Sequence, residues 1–336
     1  MDTKIIAVLL IVVAIVAGVV GWFVKPAEKA EVTLKPFEGT TIYFVGGDAG
    51  DPFDMMMSAG ARYASETLGF ELHYVHTDWS AVEMVDGFQN ALAANPDGIA
   101  VVGSPGYEAL KDLFAEADSK GIKTALLCVP VPELQEKYRY SCSILGASYE
   151  SGYILGQGAV DHLGLESGDR AAIFSASFEE GLGRMDRPNG VHDALEDAGL
   201  IVDAVPHSSD VYGDPTLGVP VVSGYYGAHP DATLLVFDGG GTTAAAERYV
   251  TELGLGPDDI HVAGFDITPP TLPALEAGYL DIVLDQQQFL QGYLACVNIC
   301  MCEEFSFAGL DVNCASGLVG QWNFAALKPA FEKQFD

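Results

Sequence analysis

Basic side chains are scarce: 16 Lys and Arg stand against 47 Asp and Glu, a formal net charge of −31 over 336 residues. A surface of that sign repels phosphate backbones and anionic headgroups, which argues against any nucleic-acid partner. Two origins fit the acidity. One is a salty surrounding that screens self-repulsion; the other is a secreted protein kept soluble by its charge. Catalytic signatures are missing too. The chain has no GxSxG, no HExxH and no P-loop, so the common serine-hydrolase, zinc-protease and nucleotide-hydrolase sites are not written in it. Gly46-Gly47-Asp48-Ala49-Gly50 is not a proper GxGxxG. The seven histidines are scattered, and strand alternation puts His73 and His76 on opposite faces. An α/β enzyme is therefore the lesser reading, and no cofactor is expected. Paired CxxC spacing is absent as well. Cys296, Cys300 and Cys302 lie close in sequence but do not form a recognisable metal set. Together with Cys128, Cys142 and Cys314 they are expected to be small buried thiols or to form one or two bridges.

Charge is also missing from Ile5 to Val24. At about 1.5 Å per helical residue that run is long enough for a hydrocarbon core of about 30 Å. Residues 1–25 are expected to be an uncleaved signal-anchor, with a cleaved signal peptide as the alternative. Val19-Val20-Gly21 offers only a weak cleavage site. No Cys comes after the run, which gives no support to a lipid-modified cysteine. Residues 26–38 are polar, carry prolines and read as a tether. The expected location is extracytoplasmic: on the outer face of the membrane if the helix stays, secreted or periplasmic if it is cut.

Beyond the tether the chain alternates between two signals. Apolar, β-branched runs at Thr41–Val45, Glu71–His76, Ile99–Val102 and Lys123–Cys128 are each followed by a stretch with helical spacing. A second series begins near Ser143, with strands at Ala171–Ser175, Ile201–Val205, Thr233–Phe237, His261–Phe265 and Leu280–Leu284. This is the pattern of βαβ units and parallel sheets. The segment holding Pro215, Gly218, Pro220 and Gly224 predicts a broken helix, and Thr242 or Thr243 is expected to cap the next one. The fold class is α/β, with two doubly wound parallel-sheet lobes, a hinge and a cleft between them. One lobe is expected from 39–145 plus about 286–305, the other from 146–285 plus about 306–336.

Ligands of such sheets sit beyond the carboxyl ends of the strands, so the loops there carry the candidate site. After the first strand come Asp51, Pro52, Phe53 and Asp54: a fixed backbone, a flat apolar ring and two carboxylates. Stacking plus charge-assisted hydrogen bonds is how a protein grips a polyol. A helix cap followed by a core Phe is the plainer reading of the same residues. Ser104 follows the third strand, and Asp238, Gly239 and Gly240 follow Phe237. Phe265 and Asp266 repeat the aromatic–carboxylate pairing in the second half, and Gln286 can bridge two hydroxyls through its amide. Arg187 reads as structural, tying loops together, and Arg184 as able to reach a cleft.

In combination these pieces are recognisable. Asp51-Pro52-Phe53, Arg187-x-x-Gly190, Val262-Ala263-Gly264-Phe265-Asp266 and Asp285-Gln286-Gln287 with Leu290-Gln291-Gly292-Tyr293 resemble the type I periplasmic sugar-binding proteins, the ribose-binding-like family, over about residues 40–305. The resemblance implies two lobes joined by three crossings, near Ser143–Ala147, Leu284–Gln288 and Glu304–Asp311. It implies ligand contacts at Phe53, near Ser104, near Gly240, at Asp266 and at Gln286. It also implies a sugar or related polar solute as ligand and the permease subunits of an ABC importer as partners. The chain departs from the family where an Asp-Arg pair commonly follows the fourth strand and it has Cys128-Val129. That puts ribose itself in doubt and leaves a modified sugar or a nucleoside open. With Asp48, the carboxylates Asp51, Asp54, Asp238 and Asp266 even permit a cationic ligand. A membrane-tethered ligand sensor is the alternative role. A transcription repressor would need a basic DNA-binding N-terminus that is not here.

Overall fold

The central strands are short apolar runs that bury both of their faces, as the middle of a parallel sheet requires, whereas Glu71–Val75 and Ile201–Pro206 at the sheet edges stay partly exposed. In the computed structural model the described residues are 35–138, 141–180, 185–315 and 317–335. The apolar run, most of the tether and Arg184 lie outside them. Among the described residues no helix is long and apolar enough to cross a membrane.

The first series runs β1 (Thr41–Val45), α1 (Pro52–Leu68), β2 (Glu71–Val75), α2 (Ala81–Ala94), β3 (Gly98–Val102), α3 (Gly106–Lys120), β4 (Lys123–Cys128), α4 (Pro132–Lys137) and β5 (Ser141–Leu145). The second runs α5 (Tyr149–Leu163), β6 (Arg170–Ser175), α6 (Ser177–Glu180), α7 (Asp186–Asp197), β7 (Ile201–Pro206), α8 (Asp210–Gly213), α9 (Val219–Ala228), β8 (Ala232–Phe237), α10 (Gly240–Ala244), α11 (Ala246–Glu252), β9 (His261–Phe265), α12 (Thr271–Ala277) and β10 (Ile282–Asp285). Then come α13 (Gln288–Phe305), β11 (Asp311–Asn313), β12 (Gly317–Gly320) and α14 (Phe324–Phe335).

Two six-stranded sheets result, in the orders β11-β5-β4-β3-β1-β2 and β12-β10-β9-β8-β6-β7. All pairings are parallel except β10 with β12. Phe44, Phe88 and Phe114 anchor the core of the first sheet. Phe174, Phe237 and Leu275 fill one face of the second, and Leu155, Ile173 and Phe265 the other. The strand order reverses between β1 and β3 in one sheet and between β6 and β8 in the other, and these switch points are where an open α/β sheet leaves a crevice.

The chain passes between the sheets three times, at residues 146–148, at 286–287 and after Asn313. The third crossing is later than the Glu304–Asp311 expected from sequence. Asp311–Asn313 pairs with β5, so the stretch from 306 does not go over wholly to the second sheet. Three residues with a single apolar side chain give no alternation that a sequence reading could detect.

Each sheet carries one tightly packed helix pair built on glycine. In the first, a Cβ on Gly60 of α1 would lie 1.9 Å from the Phe289 carbonyl oxygen, and one on Gly292 of α13 would lie 1.9 Å from that of Met57. In the second, Gly152 of α5 meets the Arg187 carbonyl at 1.9 Å and Gly190 of α7 meets that of Tyr149 at 2.0 Å. The spacing is the same in all four helices, Met57/Gly60 matching Arg187/Gly190 and Phe289/Gly292 matching Tyr149/Gly152. The two halves thus repeat down to the backbone contacts of their helices.

Three smaller expectations have mixed outcomes. All six cysteines are buried free thiols. The broken helix is a 3-10 turn, Pro215–Gly218, followed by the regular α9. Pro220 sits in the first turn, where its missing N–H costs nothing. The cap before Thr242 is the extended Gly239; α10 starts two residues early, so both threonines lie inside it and bond back to the Gly239 and Phe237 carbonyls.

Candidate ligand site at the strand ends

At the end of β1 the backbone must pass close to two side chains. A Cβ on Gly46 would lie 2.2 Å from the Tyr74 hydroxyl, and one on Gly47 would lie 2.3 Å from the Trp79 indole. The chain then caps α1 with Asp51, whose carboxylate accepts from the Phe53 N–H at 3.2 Å and from the Trp79 indole N–H at 2.9 Å. Phe53 packs edge-on to Trp79, ring centroids 5.7 Å apart. Asp54 is fully buried. It accepts from the Gly47 N–H at 2.7 Å and the Tyr74 hydroxyl at 2.6 Å, and meets His76 Nδ1 at 2.9 Å. Burial raises the pKa of both carboxyls above the usual carboxylate range, outweighing these donors. Asp54 thus spends its acceptors inside its own sheet, the plain structural role, while Asp51 holds a pair of rings at the strand end. Ser104 follows β3, the neighbour of β1, and stays partly open.

The second sheet collects the polar groups. Asp238, at the end of β8, is fully buried and accepts from Arg187 Nε at 2.6 Å and from the Ser175 hydroxyl at 2.7 Å. Arg187 also donates to the Asp238 carbonyl and lies over the Phe265 ring, 4.2 Å from its centroid. An ion pair so far from water holds only because its hydrogen bonds are satisfied. Asp266 follows β9 in the left-handed region, φ +78°, a conformation that costs a non-glycine residue about 1–2 kcal/mol. Its carboxylate accepts from the Gln286 amide and, at 3.4 Å, from Gln288. Gly240 lies against it: a Cβ there would be 2.8 Å from Asp266 Oδ2. Asp238, Gly240, Phe265, Asp266 and Gln286 therefore form one contiguous cluster. Asp51, Phe53 and Asp54 form another, in the first sheet.

Gln286 is itself the crossing between sheets. Its carbonyl accepts from the Gln291 amide at 2.9 Å, and Gly146 of the first crossing presses on both side chains. The amide oxygens of Gln286 and Gln291 are buried without a hydrogen-bond partner. Buried polar atoms normally find partners, so these mark a place where another polar group is wanted. Asp285, one residue earlier, is pushed up to about 6 by burial. Two open surface hollows, of about 530 and 560 Å³, lie elsewhere: one along the outer β7 strand, the other between α5 and Asn313.

Known proteins share this fold. A family profile described as "Periplasmic binding protein domain" matches residues 42–300. The chain belongs to this family. Among curated proteins, the periplasmic binding protein is similar to the xylose/arabinose-binding protein XylF of Sulfolobus acidocaldarius, 26% identical over 266 residues. That match takes in 75% of this chain and 63% of the relative's length. Among solved structures it is similar to an ABC transporter solute-binding protein of Burkholderia graminis in complex with D-arabinose. The TM-score is 0.75 at 19% identity, covering 87% of this chain and 99% of the other. It is also similar to a carbohydrate transporter of Acidothermus cellulolyticus in complex with myo-inositol, with TM-score 0.74, 20% identity and coverage of 88% and 99%. At those identities the structures speak for the fold, that of a type I periplasmic binding protein.

Sequence reasoning missed several strand-end residues of this periplasmic binding protein. Trp79 was legible in principle: the loop after β2 carries it at φ +59°, an aromatic at a strand end. Tyr212, whose hydroxyl bonds the Ala176 N–H at 3.1 Å and Asp238 at 3.4 Å, gave no signal because α8 is a single turn. Arg187, read as structural, has the expected tying role, but its partner Asp238 lies 51 residues on.

Proposed function

We propose that the chain is the extracytoplasmic solute-binding component of an ABC-type importer and closes on a sugar or sugar-like polar solute between the strand ends of its two sheets. The observation that carries this is the Asp266–Gln286 contact. It joins a strained strand-end carboxylate to an amide on the second crossing, and that amide keeps a buried, unpartnered oxygen. A polyol supplies both donors and acceptors to such a pair. Half-buried Trp79, packed edge-on to the buried Phe53, offers ring surface from the opposite sheet. The sugars in the descriptions of the relatives support the same class.

On this reading the sheets and their helices are lobes, one of about 36–145 with 288–313 and one of 149–285 with 317–335. The crossings at 146–148, at 286–287 and after Asn313 are the hinge. A ligand touching both lobes only when they close shifts the population toward the closed form, and that form docks on the permease. The apolar run Ile5–Val24 anchors the protein beside its permease and raises the effective concentration.

The test is thermal-shift screening with D-xylose, L-arabinose, D-arabinose and myo-inositol, followed by calorimetry. A sugar at 100 times its Kd stabilises by about 2.7 kcal/mol. Asp266→Ala abolishes that shift for the hit while the protein stays folded. Unchanged affinity in that variant removes Asp266 from the site.

A further inference from the structure

In a chain this acidic, one stretch of surface is conspicuously apolar. Phe305, Phe307 and Leu310 are 54%, 54% and 61% exposed, within six residues at the end of α13. The two rings stack with centroids 5.6 Å apart. Between them Ser306 adopts φ +56°, and its N–H closes on the Cys302 carbonyl at 3.0 Å. A left-handed turn is thus held by a non-glycine residue to present two phenyl rings side by side to solvent.

The place of this tip in the fold says what it faces. β1, β3, β4, β5 and β11 are parallel and therefore begin at one edge of the first sheet. α13 runs back toward that edge. Ile299 abuts Gly98 at the start of β3, and Glu303 pairs with Lys123 at the start of β4 at 3.1 Å. Ser143 of β5 donates to the Leu310 carbonyl at 3.2 Å. The chain enters its folded unit at the same edge: the unit begins at Pro36, and Phe37 precedes β1. Residues 25–35, the stretch between the apolar run and that entry, reach at most about 40 Å even when fully extended. The exposed tip and the point where the chain enters its folded unit therefore share one edge of the first sheet.

We propose that Phe305, Phe307 and Leu310 form a membrane-interface contact that seats in the headgroup–acyl boundary of the bilayer holding the N-terminal run. It orients the strand-start edge of the first sheet toward lipid and the strand ends away from it. This rests on the proposed role of Ile5–Val24 as an anchor. Flanking charge defines the lipid. Residues 303–311 contain no Lys or Arg, and Glu304 and Asp311 are exposed. Attachment is therefore through apolar burial and is opposed by anionic headgroups.

The test uses the full chain reconstituted in phosphatidylcholine vesicles with and without doxyl-labelled lipid. Leu310→Cys carries an environment-sensitive fluorophore, and Val82→Cys, 71% exposed at the opposite ends of the strands, is the control. The native cysteines are buried, so labelling is selective. The expected result is flotation with the vesicles, a blue shift and doxyl quenching at 310, and neither at 82. Adding Phe305→Ser and Phe307→Ser removes the quenching without loss of flotation, and replacing phosphatidylcholine by phosphatidylglycerol at low salt weakens it. Flotation with a 310 label no more quenched than the 82 label leaves the anchor standing and overturns the tip contact in favour of a protein partner. Quenching that survives the double Ser change reports tether proximity alone and also overturns it. A chain that does not float overturns the anchor and the tip contact together.

Discussion

Replacing Arg187 by Met tests whether the second sheet's strand ends are held by one buried ion pair. The side chain is 1% exposed, and so is that of its partner Asp238. Removing the guanidinium leaves the carboxylate with the Ser175 hydroxyl and the Tyr212 hydroxyl at 3.4 Å, in a site water does not reach. Breaking a buried pair from one side costs about 3–5 kcal/mol. The lost contact over the Phe265 ring adds about 0.5–2 kcal/mol, partly returned by the packing of Met. For a chain longer than about 250 residues, each kcal/mol moves Tm by about 2 °C, so the expected drop is about 6–12 °C. Urea melts followed by far-ultraviolet circular dichroism give the free energy, and the cycle with Asp238→Asn gives the coupling. The double variant is expected to be more stable than the sum of the single losses by about 2–3 kcal/mol, because neither leaves an isolated charge in it. Single losses below about 1 kcal/mol, or strictly additive ones, would show that the pair does not organise this end of the sheet.

Other outcomes rest on the same contacts. Asp285 titrates at about 6 in the folded protein against an ordinary 3.8, because burial disfavours its charge. The folded state keeps this proton longer than the unfolded one, so the group favours folding at low pH and that contribution is lost as pH rises from about 4 through 6. Asp285→Asn is expected to stabilise the protein at pH 7–8 by up to about 3 kcal/mol and to flatten that part of the pH profile; a profile unchanged by the substitution refutes the shift. Gly60→Ala and Gly190→Ala each drive a methyl into a carbonyl oxygen and are expected to cost about 1–3 kcal/mol or more, whereas Gly224→Ala, which meets nothing within 4 Å, should not lower Tm. With a net charge of −31, stability should rise between low salt and about 1 M NaCl, where screening shortens to about 3 Å; a fall over that range in thermal melts counts against charge self-repulsion.

Much of the architecture was legible because the strands are apolar runs punctuated by glycine. Gly69 and Gly121 end helices in left-handed conformations where their sequence positions suggest. Such signals are local, and so were read correctly. What depended on pairing partners was not. β11 has one apolar residue and acquires its place only from β5. Asp54 and Asp51 look alike in sequence, yet one turns into its own sheet toward Tyr74 and His76 while the other caps a helix at the strand end, a difference set by helical phase against residues twenty or more positions away. Asp238 stands beside three glycines in a loop on which Tyr212 and Asp266 press, contacts that no local pattern announces.

The repeat of the helix pairs sharpens what differs between the halves. Met57 and Arg187 occupy matching positions beside their glycines, but only the second carries charge. At the end of the second strand beyond each switch point stand Cys128, φ +60°, and Asp266, φ +78°. The backbone strain is shared and the chemistry is not. Cys128 offers its carbonyl to the Gly146 and Ala147 N–H groups at 2.9 and 2.8 Å, and Val129 turns its N–H back to Leu127 at 2.6 Å, so the backbone at this strand end is spent on the first crossing. Asp266 instead faces amides. On the proposed reading, the first sheet offers ring surface to a ligand and the second offers carboxylate and amide, so affinity for hydroxyls is concentrated in the second. Carrying Asp at 128 would equalise the halves. Cys128→Asp is expected to weaken a ligand that binds through one polar face, and a gain in affinity for the same sugar would show that the first sheet also reads hydroxyls.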